Sequence, residues 1–197
     1  MHLPSRAELE RRPLKSARLM LAPLDVTDAR DLFRAVDPSR THLGQLDWVA
    51  GCALPSDAHR RCESSAEDWD SARALRFAVR EVSTLAFLGV AALETLLPAH
   101  DSGDLVVWVR SDVLRQGYAT EAAAALLVFA FRRAGLHRVR AFAGPFNPGA
   151  LGVLRRLGFR FEAVVRGADA IGGRWTDTWQ HSLLARDPVS GPAWVDR

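Results

Sequence analysis

The segment Leu114-Arg115-Gln116-Gly117-Tyr118-Ala119 lies between a short β-rich run ending at Val109 and a long alanine-rich run that starts at Thr120. A strand, a glycine loop and a helix start, in that order, aim several unpaired backbone N–H groups and the positive end of a helix dipole at one point. That is an anion site, suited to a pyrophosphate. Gly117 lets the anion approach the backbone closely, and the small Ala119 keeps the helix start clear. The same order of elements occurs in every α/β protein, so taken alone it also fits a plain connection. Other chemistries lack the necessary spacing. No Ser-His-Asp arrangement is visible, and Cys52 and Cys62 have neither a metal spacing nor the makings of a disulfide framework, which leaves them as reduced thiols. The six histidines, His2, His42, His59, His100, His137 and His181, show no ligand pattern, so no metal is expected.

The elements that must hold the loop follow from periodicity and punctuation. Arg18–Leu24 reads as an opening strand, and Thr27 as the N-cap of a helix through about Val36. Pro38–Arg73 reads as helical with breaks at Gly51 and Pro55. Leu75–Arg80, Leu85–Glu94 and Leu105–Val109 are short β-rich runs separated by turn residues, as in antiparallel strands. The helix Thr120–Ala134 is apolar nearly all round, so it must be buried against a sheet, and Gly135 ends it. A strand over Arg138–Ala143 comes next, then a helix capped by Asn147, opened by Pro148 and closed by Gly158. Two last strands, Phe159–Arg166 and Thr176–Ala185, join through a turn at Gly172-Gly173.

With this frame in place, the runs LRQGYATEAAAA (Leu114–Ala125) and NPGALGVLRRLGF (Asn147–Phe159), with Trp175-Thr176-Asp177 beyond, resemble the acetyl-CoA signature and downstream segments of GNAT N-acetyltransferases. They are most similar to the subgroup that acetylates ribosomal-protein N-termini, and the likeness runs from Arg18 to about Arg186. The resemblance implies an α/β (α+β) fold whose mixed, mostly antiparallel sheet has about six or seven strands, with helices on both faces and a splayed acetyl-CoA cleft. It places one such domain at residues 18–186, between an N-terminal extension (1–17) and a C-terminal tail (187–197).

By the same resemblance, Val107, Trp108 and Val109 pair through their backbone with the pantetheine arm. Leu114, Arg115, Gln116, Gly117, Tyr118, Ala119 and Thr120 hold the pyrophosphate. Leu114 stands where the family usually has Arg or Gln, and Arg115 stands where it often has glycine. Asn147 is either a helix cap or a neighbour of the thioester, or both. Asp104 and Glu162 are the candidate bases that take a proton from the amine, each with the alternative of a solvated surface carboxylate, and Glu94 and Asp177 follow them. Ala150 occupies the place of a Ser or Tyr that can reprotonate the thiolate in many relatives. Trp48 and Trp175 are the candidate walls of the acceptor pocket, and core positions are the alternative for both.

Composition agrees with a single globular domain, 48% hydrophobic and 25% charged. The polar, mixed-charge stretch Met1–Lys15 lacks the apolar centre of a secretory signal, and no run reaches a membrane span, so a cytoplasmic enzyme is expected, monomeric or homodimeric. The excess of arginine gives a net charge of +3, but the arginines are spread out and no nucleic-acid module is recognisable. The expected partner is an amine, possibly a protein N-terminus. The competing reading is a silent acetyl-CoA-binding protein.

Overall fold

The computed structural model describes residues 3–44, 46–171 and 173–188. Among them eight strands form one sheet: β1 (Leu14–Lys15), β2 (Leu19–Pro23), β3 (Leu75–Glu81), β4 (Phe87–Leu97), β5 (Ser102–Val109), β6 (Arg138–Phe142), β7 (Arg160–Ile171) and β8 (Arg174–Leu184), in the order β1-β2-β3-β4-β5-β6-β8-β7. Only β5 and β6 run parallel, which requires a crossover, and α6 (Tyr118–Arg132) supplies it. The remaining helices are α1 (Arg6–Arg11), α2 (Ala29–Val36), α3 (Arg40–Leu43), α4 (Asp47–Ala50), α5 (Pro55–Asp70) and α7 (Pro148–Leu157). None of the described helices is long and apolar enough to cross a membrane.

Alternation along the strands divides the apolar residues between two cores. Phe77, Ala91, Leu93, Leu105 and Val109 belong to the core with α1, α6, α7 and Trp69 at the end of α5; Ala78, Val90, Ala92 and Trp108 belong to the core with α2 to α5. The alanines Ala122–Ala125 are buried together with Leu126 and Leu127, so α6 lies within the first core, as its all-round apolar pattern predicts.

The mixed, mostly antiparallel sheet is as expected, with β1 as one strand beyond the approximate six or seven; Leu9 and Leu14 are fully buried, and β1 pairs with β2. Two helix starts are corrected. Asp25 rather than Thr27 caps the first turn, accepting from the Thr27 N–H at 3.0 Å while its own N–H donates to Asp28 at 2.9 Å. A 3-10 turn, Val26–Asp28, therefore precedes α2. Finally, α6 begins at Tyr118, so Tyr118 sits in the helix and not in the loop. The turn residue Gly172 and the tail from 189 onward lie outside the described residues.

Candidate active site

The site is made by a divergence in the sheet. β5 and β6 pair at Ser102↔Arg138, Gly103↔Val139 and Asp104↔Arg140, and then part. On the other side β5 stays paired with β4 as far as Val109. The Arg110 N–H donates to the Leu88 carbonyl at 2.8 Å, which makes Trp108 and Val90 a hydrogen-bonded pair and leaves Val109 and Val107 in the non-hydrogen-bonded positions. The backbone groups of Val107 and Val109 therefore point into the gap, where β6 no longer runs. Trp108, grouped with them in the sequence reading, turns its backbone to β4. Its indole lies in the second core, 5.8 Å from the Trp48 ring and 6.5 Å from Phe87.

Gly89, opposite Val109, explains why β4 and β5 stay close here. A Cβ at Gly89 would stand 2.1 Å from the Trp108 carbonyl oxygen, a contact no side chain can occupy. At the outer end of the gap, His42 Nε2 lies 3.0 Å from the Val109 carbonyl. A carbonyl only accepts, so Nε2 carries the proton in this contact.

The gap opens into a cavity of about 2150 Å³ that reaches both faces of the sheet. On the α6 side its wall includes Leu114, Arg115, Gly117, Tyr118, Ala119 and Thr120. Arg115 (φ 60) and Gly117 (φ 84) both have positive φ, and Gly117 is the helix N-cap without a side-chain cap, so the first-turn N–H groups of α6 are left for an external acceptor. The positive φ also accounts for the family's frequent glycine where this chain has Arg115. Arg18 braces the loop: it donates to the Gln116 carbonyl at 3.1 Å, lies over the Tyr118 ring at 4.4 Å and pairs with the buried Glu121 at 2.7 Å. Hydrogen bonds from Ser16 and from Arg18 outweigh burial and hold the Glu121 carboxyl below its usual range. The Gln116 backbone carbonyl is taken by Arg18, and Gln116 is not among the cavity-lining residues. Arg18, Arg115 and Arg156 line the cavity here against Glu121 and Asp112, which leaves this half with one positive charge in excess. These features fit a pyrophosphate.

Asn147 lines the cavity and caps α7 at once, its Oδ1 accepting from the Ala150 N–H at 3.0 Å. The Tyr118 hydroxyl donates to Glu81 at 2.8 Å. Ala150 lines the cavity and offers no hydroxyl.

The opposite half holds Trp48, His42, Arg61, Arg76, Glu94 and Asp104. Asp104 is the last β5 residue to pair before the strands part, and Arg140 grips both its oxygens at 2.7 and 3.1 Å. Glu94 lies directly across from Asp104 on β4, and Arg76 grips both its oxygens at 2.7 and 2.8 Å. Two like charges at cross-strand positions repel each other, and each is offset by its own arginine. The sequence reading ranked Glu94 low and missed Arg61 and His42, because only the strand register and the fold of the 38–73 region bring them to the cavity.

Glu162 and Trp175 stand elsewhere. Glu162 sits at a register shift between Phe161 and Ala163, on the exposed sheet surface, and does not line the cavity. Arg138 clamps it through both oxygens, one at 2.8 Å, while Gln180 donates at 3.0 Å and Ser182 at 2.7 Å. Arg138 above all, then Ser182 and Gln180, bring its carboxyl down to about 2. Such a group is a poor proton acceptor. Trp175 is 77% exposed near the end of the β7–β8 hairpin, whose strands run further than predicted and carry it beyond the cavity; the lining from β7 is Ala168 and Asp169. Asp177 fixes the hairpin by accepting from the Gly167 N–H at 2.8 Å.

Residues 18–160 match the model of the acetyltransferase (GNAT) domain family. The Bacillus subtilis (strain 168) protein named Probable N-acetyltransferase YjcK is 25% identical over 175 residues, 87% of this chain and 95% of its own length. Among solved structures, Mycobacterium smegmatis RimJ in complex with CoA-disulfide superposes with a TM-score of 0.78 at 25% identity, covering 88% of this chain and 86% of that one. The ribosomal-protein-S5-alanine acetyltransferase from Vibrio fischeri gives 0.78 at 19% identity, over 89% and 97%. A match spanning most of the chain, on a sheet that parts after Asp104 beside an uncapped glycine-led helix, places the protein in the GNAT acetyltransferase family as an N-acetyltransferase.

Proposed function

We propose that this chain transfers the acetyl group of acetyl-CoA to a primary amine, a protein N-terminal α-amine or a small amine, through the gap between β5 and β6. The observation that carries this reading is the direction of the Val107 and Val109 backbone groups, which face a gap open to both sides of the sheet. An extended pantetheine arm can add to that edge as a strand would, with its diphosphate at the first turn of α6 and Arg18 and Arg115 nearby. The chemistry that acetyl-CoA supplies is an activated acetyl thioester, transferred to the amine with release of the thiol.

The chain's own work is to position groups and move a proton. The two halves of the cavity bring donor and acceptor together at the fork from opposite faces. Asp104 stands at that fork; Arg140 fixes its orientation, and lone pairs beyond the two contacts remain for a water or the amine. Glu94 lies opposite, its charge offset by Arg76. The Val107 and Val109 N–H groups are the nearby donors for charge developing on the acetyl oxygen.

The test is thiol release from acetyl-CoA across peptide N-termini, polyamines, amino acids and aminoglycosides. Turnover with any of these amines supports the reading. Binding of acetyl-CoA without turnover on any of them would replace it with the silent binding protein, a reading favoured by Ala150 at the cavity wall and by a Tyr118 hydroxyl spent on Glu81.

A further inference from the structure

We propose that Arg61 is an anion subsite in the acceptor half of the cavity, and that the preferred acceptor is a primary amine carrying a carboxylate a few bonds from the amine. The proposal rests on the reading of the cavity as an acetyl-transfer site and names the class of its acceptor.

Arg61 belongs to a cluster with one cation too many. Its arginines are Arg61, Arg73 and Arg76, and its carboxylates are Asp68 and Glu94. Arg76 takes both Glu94 oxygens, and Asp68 divides its oxygens between Arg73 at 2.8 Å and Arg76 at 2.5 Å. All four carboxylate oxygens therefore have a closer partner than Arg61, whose Nη2 reaches Glu94 Oε1 only at 3.4 Å. The other guanidinium donors of Arg61 make no hydrogen bond to a described residue. The side chain is only 26% exposed, and its surroundings penalise the charge: burial first, then Arg76, hold its pKa below the usual arginine value. A mostly buried guanidinium with surplus charge and unspent donors has much to gain from a carboxylate, whose two oxygens match its fork.

The position of Arg61 points the same way. Its guanidinium lies over the Trp48 ring, 5.1 Å from the centroid, which restrains the fork, and both residues line the cavity. Glu94, which Arg61 touches, pairs across the sheet with Asp104 at the fork. Neighbouring strands are about 4.8 Å apart, so a carboxylate at Arg61 and an amine at the fork belong to one small group, such as a free amino acid or a peptide with an acidic residue next to its N-terminus. A single surplus positive charge suits a carboxylate better than a phosphate dianion, which would also face Glu94 and Asp104.

The test uses matched pairs that differ only in the carboxylate. The peptides are C-terminally amidated Ser-Glu-Ala-Ala and Ser-Gln-Ala-Ala, with a phosphoserine peptide, Ser-pSer-Ala-Ala, as a third arm; the small pair is alanine and alaninamide. Affinity is measured by calorimetry on the CoA-loaded protein, and acetylation by thiol release. The carboxylate member of at least one pair should bind about tenfold tighter, the worth of one charge-assisted contact, and Arg61→Gln should remove that difference while Arg61→Lys keeps part of it. Equal affinity within both pairs, a preference that survives Arg61→Gln in a folded variant, or tighter binding of the phosphopeptide than of the carboxylate peptide overturns the proposal. Binding with the expected preference but no acetylation leaves the anion subsite standing and removes the catalytic reading instead.

Discussion

Replacing Glu162 with Gln separates the two carboxylates that sequence reasoning put forward as bases. The wild-type carboxyl lies at about 2 instead of the ordinary 4.5, the Arg138 guanidinium being the largest cause. At about 1.36 kcal/mol per pH unit that difference is worth at most about 3.4 kcal/mol, and a side chain still 32% exposed loses roughly half of it to solvent screening, leaving about 1.7 kcal/mol. Because the folded value is depressed, the contribution is complete above about pH 4.5 and disappears as pH falls through about 2. Glu162→Gln should therefore lower the melting temperature near pH 7 by about 3–6 °C. The stability gap between wild type and variant, followed by urea unfolding at low salt, should close as pH drops from 4.5 toward 2. Acetyl transfer at neutral pH should stay within about twofold, because Glu162 lies outside the cavity. A variant of unchanged stability whose turnover falls tenfold or more would refute this reasoning and return Glu162 to the reaction.

Three further outcomes are expected. Gly117→Glu should abolish the rise in melting temperature caused by acetyl-CoA, since it puts bulk and negative charge at the α6 N-terminus and forces a side chain to φ 84, at a cost of about 1–2 kcal/mol; Gly117→Ala bears the same strain and should keep the shift. Asp104→Asn should lower kcat at least tenfold with acetyl-CoA affinity within about twofold; if both Asp104→Asn and Glu94→Gln leave kcat unchanged, solvent takes the proton. Trp48→Ala should raise the acceptor KM while acetyl-CoA binding is preserved, whereas equal loss of both with a lower melting temperature would make Trp48 a core residue, as its packing on Trp108 also allows.

Local chemistry made much of the fold legible. Asn147, Pro148 and Gly158 bracket α7 because a side-chain cap, a fixed φ and a left-handed C-cap each have a direct residue signature. The sequence reading starts α6 two residues late, at Thr120, although the left-handed Gly117 is its N-cap. Long-range pairing left no such mark. The facing of Glu94 and Asp104 depends on a register between β4 and β5 that changes between Glu94 and Leu97, just before the turn Pro98–Asp101. Glu162 is placed by resemblance alone, which says nothing of the face it takes, and it occupies a register shift on the exposed sheet surface. The N-terminal strand escaped notice because two residues of β1 and the single buried Leu9 of α1 are too short a pattern to carry a period.

The two halves of the cavity also differ in what a sequence can reveal of them. The α6 half works mainly through backbone: open N–H groups at Gly117 to Thr120 and strand edges at Val107 and Val109. Those groups exist whatever side chain is attached, so Leu114 and Arg115 can stand in atypical places while the loop and its positive φ values persist. The opposite half presents side chains: His42, Trp48 and Arg61 arrive from α3, α4 and α5, separated by breaks at Gly51 and Pro55, and Arg76, Glu94 and Asp104 from β3, β4 and β5. A backbone site tolerates substitution and keeps a recognisable local pattern, whereas a side-chain site can change with one residue and leaves no periodic trace. Donor chemistry is thus readable from LRQGYA, while the acceptor preference proposed above turns on one arginine whose surplus charge emerges only when Asp68, Arg73, Arg76 and Glu94 are counted around it.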